Sequence, residues 1–393
     1  MRNIGSDFSG LGSAELAKVF LSSACRAVMQ RDLMFHFVFA CDMAVGCRSA
    51  LTRRLQGNCV YVNLWDRFPG FDVNQYTHGE TFDFDSARLA LLSRSGRVAL
   101  VAPCCTHVAC CACPQIDSTV AGSPCIAWSR SGRRAGRKHP ITGVLLAWCA
   151  WVLFAKPKVA LHENVIGFDV QILEEVLGDY YVIQHVRAAP SHMGFPFIDR
   201  SRIYSVIILR TASSRTASSR PPADLQQVYD RIVAGMQYRA EDSLAWIFRA
   251  SDEQMLQEEN FARAKRGLSP LSQHSSDWAY LLTAKQRSRL SHHMQTSDGS
   301  ICDLSQSTHF AKTKYNQLPT LRRGSTRLWS RTKKRWVLQT ELRAAMGYPV
   351  FPDLAHVANV PCEDVHGPQT AIGNAMHVAN VGCLLLLGWL LVD

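Results

Sequence analysis

Acidic residues are missing where basic ones gather. From Leu304 to Thr340 there is no Asp or Glu against nine Lys and Arg, and residues 211–340 hold 20 basic residues against 11 acidic, which is +9 of the chain's formal +11. A basic cluster of this kind is either a solvated surface or a seat for a polyanion, because Lys and Arg gain affinity by releasing phosphate counterions. Long apolar runs are scarce as well. The longest, CLLLLGWLLV from Cys383 to Val392, is too short to cross a bilayer. Extended back through MHVANVG it only reaches the minimum length, with no basic flank, and it reads as a packed terminal helix. No apolar leader is present in the opening MRNIGSDFSG. The 14 cysteines are therefore expected as free thiols in an intracellular, reducing compartment, the nucleus of a eukaryote or the cytoplasm of a bacterium. Charge is modest at 19% against 47% apolar residues, which excludes disorder by composition, and 393 residues suffice for one large domain or two ordinary ones.

What is there has an alternating texture. Short apolar runs at Phe35–Cys41, Val98–Ala102, Ser118–Ala121, Val159–His162, Tyr180–His185 and Ile203–Leu209 are predicted strands. Helical stretches such as Thr142–Phe154 and Asp169–Leu177 lie between them, the pattern of an α/β domain. The opening residues read as an edge strand. After Arg210 the texture changes. TASSRTASSR (Thr211 to Arg220) is a duplicated pentapeptide followed by Pro221-Pro222, a linker by composition. Residues 223–267 are polar and helix-prone, and 268–335 are rich in Ser, His, Arg and Thr. The organisation expected is a first domain over 1–210 that is completed by about 365–393, a linker over 211–222, and a basic module over 223–350.

Several short stretches carry chemistry. DFSGLGSAELA (Asp7 to Ala17) sets Gly10 and Gly12 at the start of a helix, where backbone can approach a ligand closely. Glycine-rich turns are common in α/β proteins, so this alone is a weak signal. Asp42 ends the next strand and is either a surface acid or an acceptor for ribose hydroxyls. AGSPCIAWSRSG puts Cys125 in a small-residue turn after a strand, with Arg130, Arg133, Arg134, Arg137 and Lys138 nearby to favour a thiolate. LHENVIGF places Glu163 at the end of another apolar strand. Arg200 and Arg202 open a further strand at period two, which points both to one face. CCTHVACCAC (Cys104 to Cys113) adds five cysteines and His107. No C-x-x-C pair repeats at zinc-knuckle spacing, so these are read as buried or idle thiols, with no metal expected.

Taken in order, these stretches resemble the DNA (cytosine-5) methyltransferase family. Phe8-Ser9-Gly10-Leu11-Gly12 is similar to its motif I, Asp42 to the acid of motif II, Gly122-Ser123-Pro124-Cys125 to motif IV and Glu163-Asn164-Val165 to motif VI. Arg200-x-Arg202-Ile203-Tyr204 looks like motif VIII, LPTLRRGSTRLW with LQTELRAAMGYP like motif IX, and AIGNAMHVAN (Ala371 to Asn380) like motif X. The chain departs from the pattern at three places. Ser6 stands where the motif I acid belongs, Ile126 follows the cysteine where Gln is frequent, and Ile198 opens motif VIII.

The resemblance implies an α/β fold: a Rossmann-like S-adenosylmethionine-dependent methyltransferase sheet with a smaller basic target-recognition domain inserted before the C-terminal helix. It implies transfer of a methyl group from S-adenosylmethionine to C5 of a flipped-out cytosine through a covalent adduct of Cys125 with C6, leaving S-adenosylhomocysteine. Glu163 would contact N3, with Arg202 and Arg200 at O2. Phe8, Ser9, Gly10, Gly12, Asp42, Pro124 and Asn374 would line the cofactor. The partner expected is double-stranded DNA, bound by a monomer, with no membrane. Two alternatives stay open: a transfer-RNA cytosine-5 methyltransferase, although the Cys-Phe-Thr signature usual there is absent, and a catalytically silent relative that only binds. A nucleotide-binding scaffold with a metal insertion is a third.

Overall fold

The opening strand, with Ser6 and Asp7 at its end, lies in the middle of a sheet and not at its edge. In the computed structural model, which describes residues 2–30, 35–93, 98–130, 132–212, 224–235, 244–309, 313–314, 316–322, 327–352, 355 and 369–392, β1 (Arg2–Asp7) pairs in parallel with β2 (Phe35–Cys41) on one side and β8 (Ser118–Ala121) on the other. A polar strand can hold that place because its side chains find partners inside. Asp7 is fully buried and pairs with Arg67 at 2.9 Å. Arg67 in turn lies over the rings of Phe39 and Trp151, at 4.8 and 4.4 Å. Ser6, on the opposite face of the strand, bonds the Ser9 hydroxyl at 2.6 Å and the carboxyl of Glu15. Gly5 is needed here, since a Cβ would meet the Phe39 ring at 2.3 Å.

The chain divides into two units. The first comprises Met1–Ala188, Ser201–Gly235 and Ala375–Asp393. Its helices are α1 (Ser13–Met29), α2 (Val45–Leu55), α3 (Phe84–Ser93), α4 (Thr142–Ala155), α5 (Gln171–Leu177), α6 (Leu225–Ala234) and, at the end of the chain, α10 (Val378–Trp389). Its remaining strands are β3 (Cys59–Tyr61), the small ribbon β4 (Thr77–His78) and β5 (Thr81–Phe82), then β6 (Val101–Cys104), β7 (Ala109–Ala112), β9 (Val159–Val165), β10 (Tyr181–Ala188) and β11 (Arg202–Leu209). The main sheet runs β10-β11-β9-β8-β1-β2-β3-β6-β7. The five strands from β9 to β3 are parallel, and each edge is finished by antiparallel strands.

Helices cover this sheet as apolar sequence demands. α4 reads TGVLLAWCAWVLFA, apolar all round, and ten of its residues are buried, Trp148 and Trp151 among them. Helix α10 is long and apolar enough in its extended stretch to match a membrane span by composition, yet nine of its residues are buried within the protein. Gly388 lets it lie against the sheet, because a Cβ there would meet Val159 Cγ1 at 2.8 Å and Val206 Cγ1 at 3.3 Å. This is the packed terminal helix that the sequence predicts.

The second unit comprises Ala189–Arg200 and Met236–Asn374. It holds α7 (Asp252–Ala264), α8 (Ala284–Thr296), α9 (Gln339–Ala345) and a four-stranded sheet, β13-β12-β14-β15, of Thr313–Lys314, Ile301–Asp303, Leu328–Ser330 and Arg335–Trp336. Ser251 and Gln254 cap α7 reciprocally, as Thr283 and Gln286 cap α8, so each S/T-x-x-Q signature marks a real helix start. Trp278, Leu281, Cys302, Trp329 and Leu338 form its core. The sequence reading starts the basic module at 223, whereas α6 stands in the first unit. Beyond Ala212 the expected linker lies outside the described residues.

Candidate active site

Strand β8 ends at Ala121, opposite His162 of β9, so the turn that follows it starts beside Glu163. The approach is close. A Cβ on Gly122 would stand 3.4 Å from Glu163 Oε2, so a small residue keeps the carboxylate and the turn in contact. Ser123 is buried and tethered twice to β9. Its Oγ shares a 2.8 Å hydrogen bond with His162 Nε2 and accepts one from Asn164 Nδ2 at 3.0 Å. Asn164 Oδ1 also accepts the Val165 N–H at 2.9 Å. His162 lies between the rings of Trp148 and Phe168, 5.4 and 5.0 Å away. Burial, helped by the charge of His185, pushes its pKa down to about 3, so it is a neutral strut at ordinary pH.

Cys125 sits at the outer end of this tethered turn, half-buried. Its carbonyl accepts the N–H groups of Trp128 and Ser129 at 3.0 and 2.9 Å, which closes the backbone just behind the thiol. The loop beyond is folded back tightly. Gly136 N–H reaches Ala127 O at 3.1 Å, and Trp128 packs edge-on against Phe168 at 5.3 Å. Pro124 and Ile126 flank the cysteine, Ile126 about half exposed. Of the basic residues that the sequence sets near this thiol, Arg137 is engaged elsewhere. It binds Glu175 bidentately at 2.7 Å and Asp169 at 2.7 Å. Arg133 pairs with Glu80.

Glu163 is 6% exposed and meets Arg202 Nε at 3.0 Å. Register explains the pair. Glu163 lies opposite Tyr204 on β11, and Arg202 is two residues along the same face. Arg200 is held differently. β11 starts at Arg202, and the Arg200 side chain, buried in the second unit, donates to the carbonyls of Leu321 at 3.3 Å and Gly373 at 3.1 Å. The two-residue alternation therefore does not carry both guanidiniums to one face, because the first of them precedes the strand.

At the ends of β1 and β2 a second group of predicted residues converges. Phe8 and Gly12 both have positive φ, 55° and 76°, and turn the chain into α1. Ser9 N–H donates to Cys41 O at 3.0 Å, and its hydroxyl accepts the Cys41 N–H at 3.1 Å. Asp42 accepts the N–H of Gly10 at 2.9 Å through Oδ2 and that of Ala44 at 2.8 Å through Oδ1, so its half-exposed carboxylate is held in one orientation. Gly10 has φ 57° and no atom within 4 Å of where a Cβ would lie, which leaves an open face of backbone beside Asp42. The neighbouring acids face inward. Burial raises the pKa of Asp7 against the pull of Arg67, and raises that of Glu15 against its bond from Ser6. Asn374 ends a short 3₁₀ turn, Gln369–Asn374, and is exposed in the second unit.

From sequence His162 is expected to be structural, as a neighbour of Glu163, and it is; its partner Ser123 was not foreseen. Their bond joins positions 39 apart, and a hydroxyl inside a small-residue turn was the one signal available.

Known proteins resemble this one at three levels. Over 151 residues the chain is 28% identical to the type II methyltransferase M.MspI of a Moraxella species, which is 35% of this chain and 36% of that protein, so the match spans about a third of its relative. Its fold is that of the S. pombe Dnmt2 methyltransferase, with a TM-score of 0.54 at 12% identity over 99% of this chain and 98% of that one. A prophage-encoded candidate DNA modification methyltransferase of E. coli matches with a TM-score of 0.51 at 14% identity over 99% of both chains. Residues 106–340, which contain the cysteine turn, the Glu163–Arg202 pair and most of the second unit, match the model of the C-5 cytosine-specific DNA methylases, and the chain belongs to that family.

Proposed function

We propose that this protein methylates C5 of cytosine in double-stranded DNA, with Cys125 as the nucleophile. The observation that carries the reading is the tethered Gly122–Cys125 turn set against Glu163 and Arg202. Cytosine C5 is a poor nucleophile, and addition of a thiolate at C6 converts the ring to an enamine that is a good one. Cys125 forms the Sγ–C6 bond, Glu163 hydrogen-bonds N3, and Arg202 steadies the charge that develops at O2, which is preorganised electrostatic help. Once C5 carries the methyl group, loss of its proton to a base expels the thiolate and restores the aromatic ring. Because a stacked base cannot reach a half-buried thiol, the nucleotide is flipped out, at a cost of a few kcal/mol. Arg200, held by two carbonyls, is assigned to packing.

S-adenosylmethionine would supply the electrophilic methyl group. The donor set fits it: Asp42 offers a fixed carboxylate for ribose hydroxyls, and the open backbone at Gly10 gives room beside a helix N-terminus. Phe8, Ser9 and Gly12 shape that turn, and Pro124 closes the end near the thiol. The second unit is the part we assign to recognition of the target. Its hairpin between β14 and β15 puts Lys333 and Lys334 at an exposed tip.

Covalent trapping tests the reading. Purified protein, S-adenosylmethionine and duplex DNA carrying 5-fluorocytosine are incubated and denatured, beside Cys125→Ser. Fluorine cannot leave as a proton does, so an adduct that resists denaturation and is absent from the variant is expected. An adduct with transfer RNA and none with any DNA pool would move the substrate to RNA, and no adduct with either, with the cofactor bound, would make the protein a silent relative.

A further inference from the structure

The fold brings together four potential metal ligands that the chemistry above does not use. Cys104 ends β6, His107 sits in the turn of the β6–β7 hairpin and Cys111 lies on β7, while Cys59 comes from β3, far back in the sequence. His107 Nδ1 stands 3.4 Å from Cys104 Sγ, 3.2 Å from Cys111 Sγ and 3.7 Å from Cys59 Sγ, and all four ligand atoms lie within 4.8 Å of one another. A tetrahedral zinc ion, with Zn–S about 2.3 Å and Zn–N about 2.0 Å, separates its ligands by roughly 3.5 to 3.8 Å. The distances from the imidazole to the three sulfurs are close to those of ligands around one ion, and the 4.8 Å bound leaves the whole group within reach of it.

We propose that Cys59, Cys104, His107 and Cys111 bind a structural zinc ion. Three thiolates and an imidazole in a tetrahedral array form a soft, closed set that suits zinc, with no open position for a reacting water. Cys105, Cys110 and Cys113 of the same stretch lie outside this group of four. On β7, Cys110 points to the face opposite Cys111 and is exposed. The ion has structural work at this place. β3 and β6 share one register pair, Tyr61 with Cys104, flanked by backbone bonds from Cys105 to Val60 at 2.8 Å and from Val62 to Pro103 at 3.2 Å. Zinc would fasten the edge hairpin to the parallel strands across that short seam. Sequence spacing hides the site because its fourth ligand lies outside the CCTHVACCAC stretch.

The test is metal analysis of the full chain, purified without chelator under reducing conditions, followed by exchange of the metal for cobalt. One zinc per chain is expected, together with the intense visible bands of tetrahedral, thiolate-bound cobalt. Cys59→Ser and His107→Ala should each lose the zinc or change those bands, whereas Cys110→Ser should keep both. Wild-type protein that carries no zinc and gives no tetrahedral cobalt spectrum overturns the proposal, as does iron in place of zinc, or zinc retained unchanged in Cys59→Ser and His107→Ala. If the ligand variants precipitate, the wild-type cobalt spectrum decides alone. None of these readouts depends on methyl transfer.

Discussion

A buried histidine next to the Glu163 carboxylate invites a role in proton transfer, but His162 is better explained as the post that holds Ser123. Its folded pKa, about 3, lies below the ordinary value of 6.5, so the unfolded chain binds a proton that the folded one does not. The stabilisation from keeping it neutral is complete above pH 6.5 and declines as pH falls toward 3, at up to about 1.4 kcal/mol per pH unit. Urea unfolding followed between pH 7 and 4.5 should show this acid loss, and His162→Phe should flatten it by one proton while lowering methyl transfer, because the turn loses its post. A profile that is unchanged in the variant would refute the assignment. At this scale the sequence was partly legible. Cys125, Glu163 and Arg202 are recognisable by type and motif, and the structure brings Glu163 and Arg202 together. The seat of Arg200 on the carbonyls of Leu321 and Gly373 was not foreseen, because a period of two orders side chains only where a strand exists. Ser123 with His162, and Cys59 with His107, are pairs made by neighbouring strands, and nothing local in the chain announces them.

Elements were more legible than their neighbours. The runs at Phe35–Cys41 and Ser118–Ala121 became β2 and β8 with those same limits, since small and apolar side chains suit central strands of a parallel sheet. β1 was misplaced to an edge because its polarity suggests solvent, whereas an ion pair and a short hydroxyl bond give its polar side chains partners inside. The predicted strand at Val98–Ala102 shifts to Val101–Cys104, with the Ala99 N–H taken by Arg67 O at 2.8 Å. Close approach of elements also gives a test. Gly388→Val would drive a side chain into Val159 and Val206, and overpacking of this kind costs roughly 1–3 kcal/mol. A fall in the urea midpoint with the slope unchanged is the expected result, and an unaltered midpoint would mean that α10 can shift outward freely.

For the whole molecule the charge count overstates the basic surface. Of the nine basic residues from Leu304 to Thr340, Arg335 is buried in a bidentate pair with Glu341 at 2.6 and 2.9 Å, Arg322 meets Asp303 at 3.3 Å, and Arg331 donates to the carbonyls of Ser297 and Gly299. Arg327 is exposed, as are Lys333 and Lys334 at the hairpin tip, while Lys312, Arg323 and the side chain of Lys314 lie outside what is described. If both lysines meet phosphates, the double variant Lys333→Ala, Lys334→Ala should reduce the slope of log K against log salt for duplex DNA by about 1.8, at about 0.9 per contact. Equal slopes for wild type and variant would place the DNA elsewhere.

The cover of the main sheet has a consequence in time. Strands β9 and β11 are roofed by α10, which the ribosome makes only after the whole second unit has been synthesised. At bacterial to eukaryotic elongation rates of about 5–20 residues per second, the apolar faces of those strands wait on the order of ten seconds or more for their partner. The first unit is therefore closed only after the second has been made, and until then those faces of β9 and β11 lack their cover.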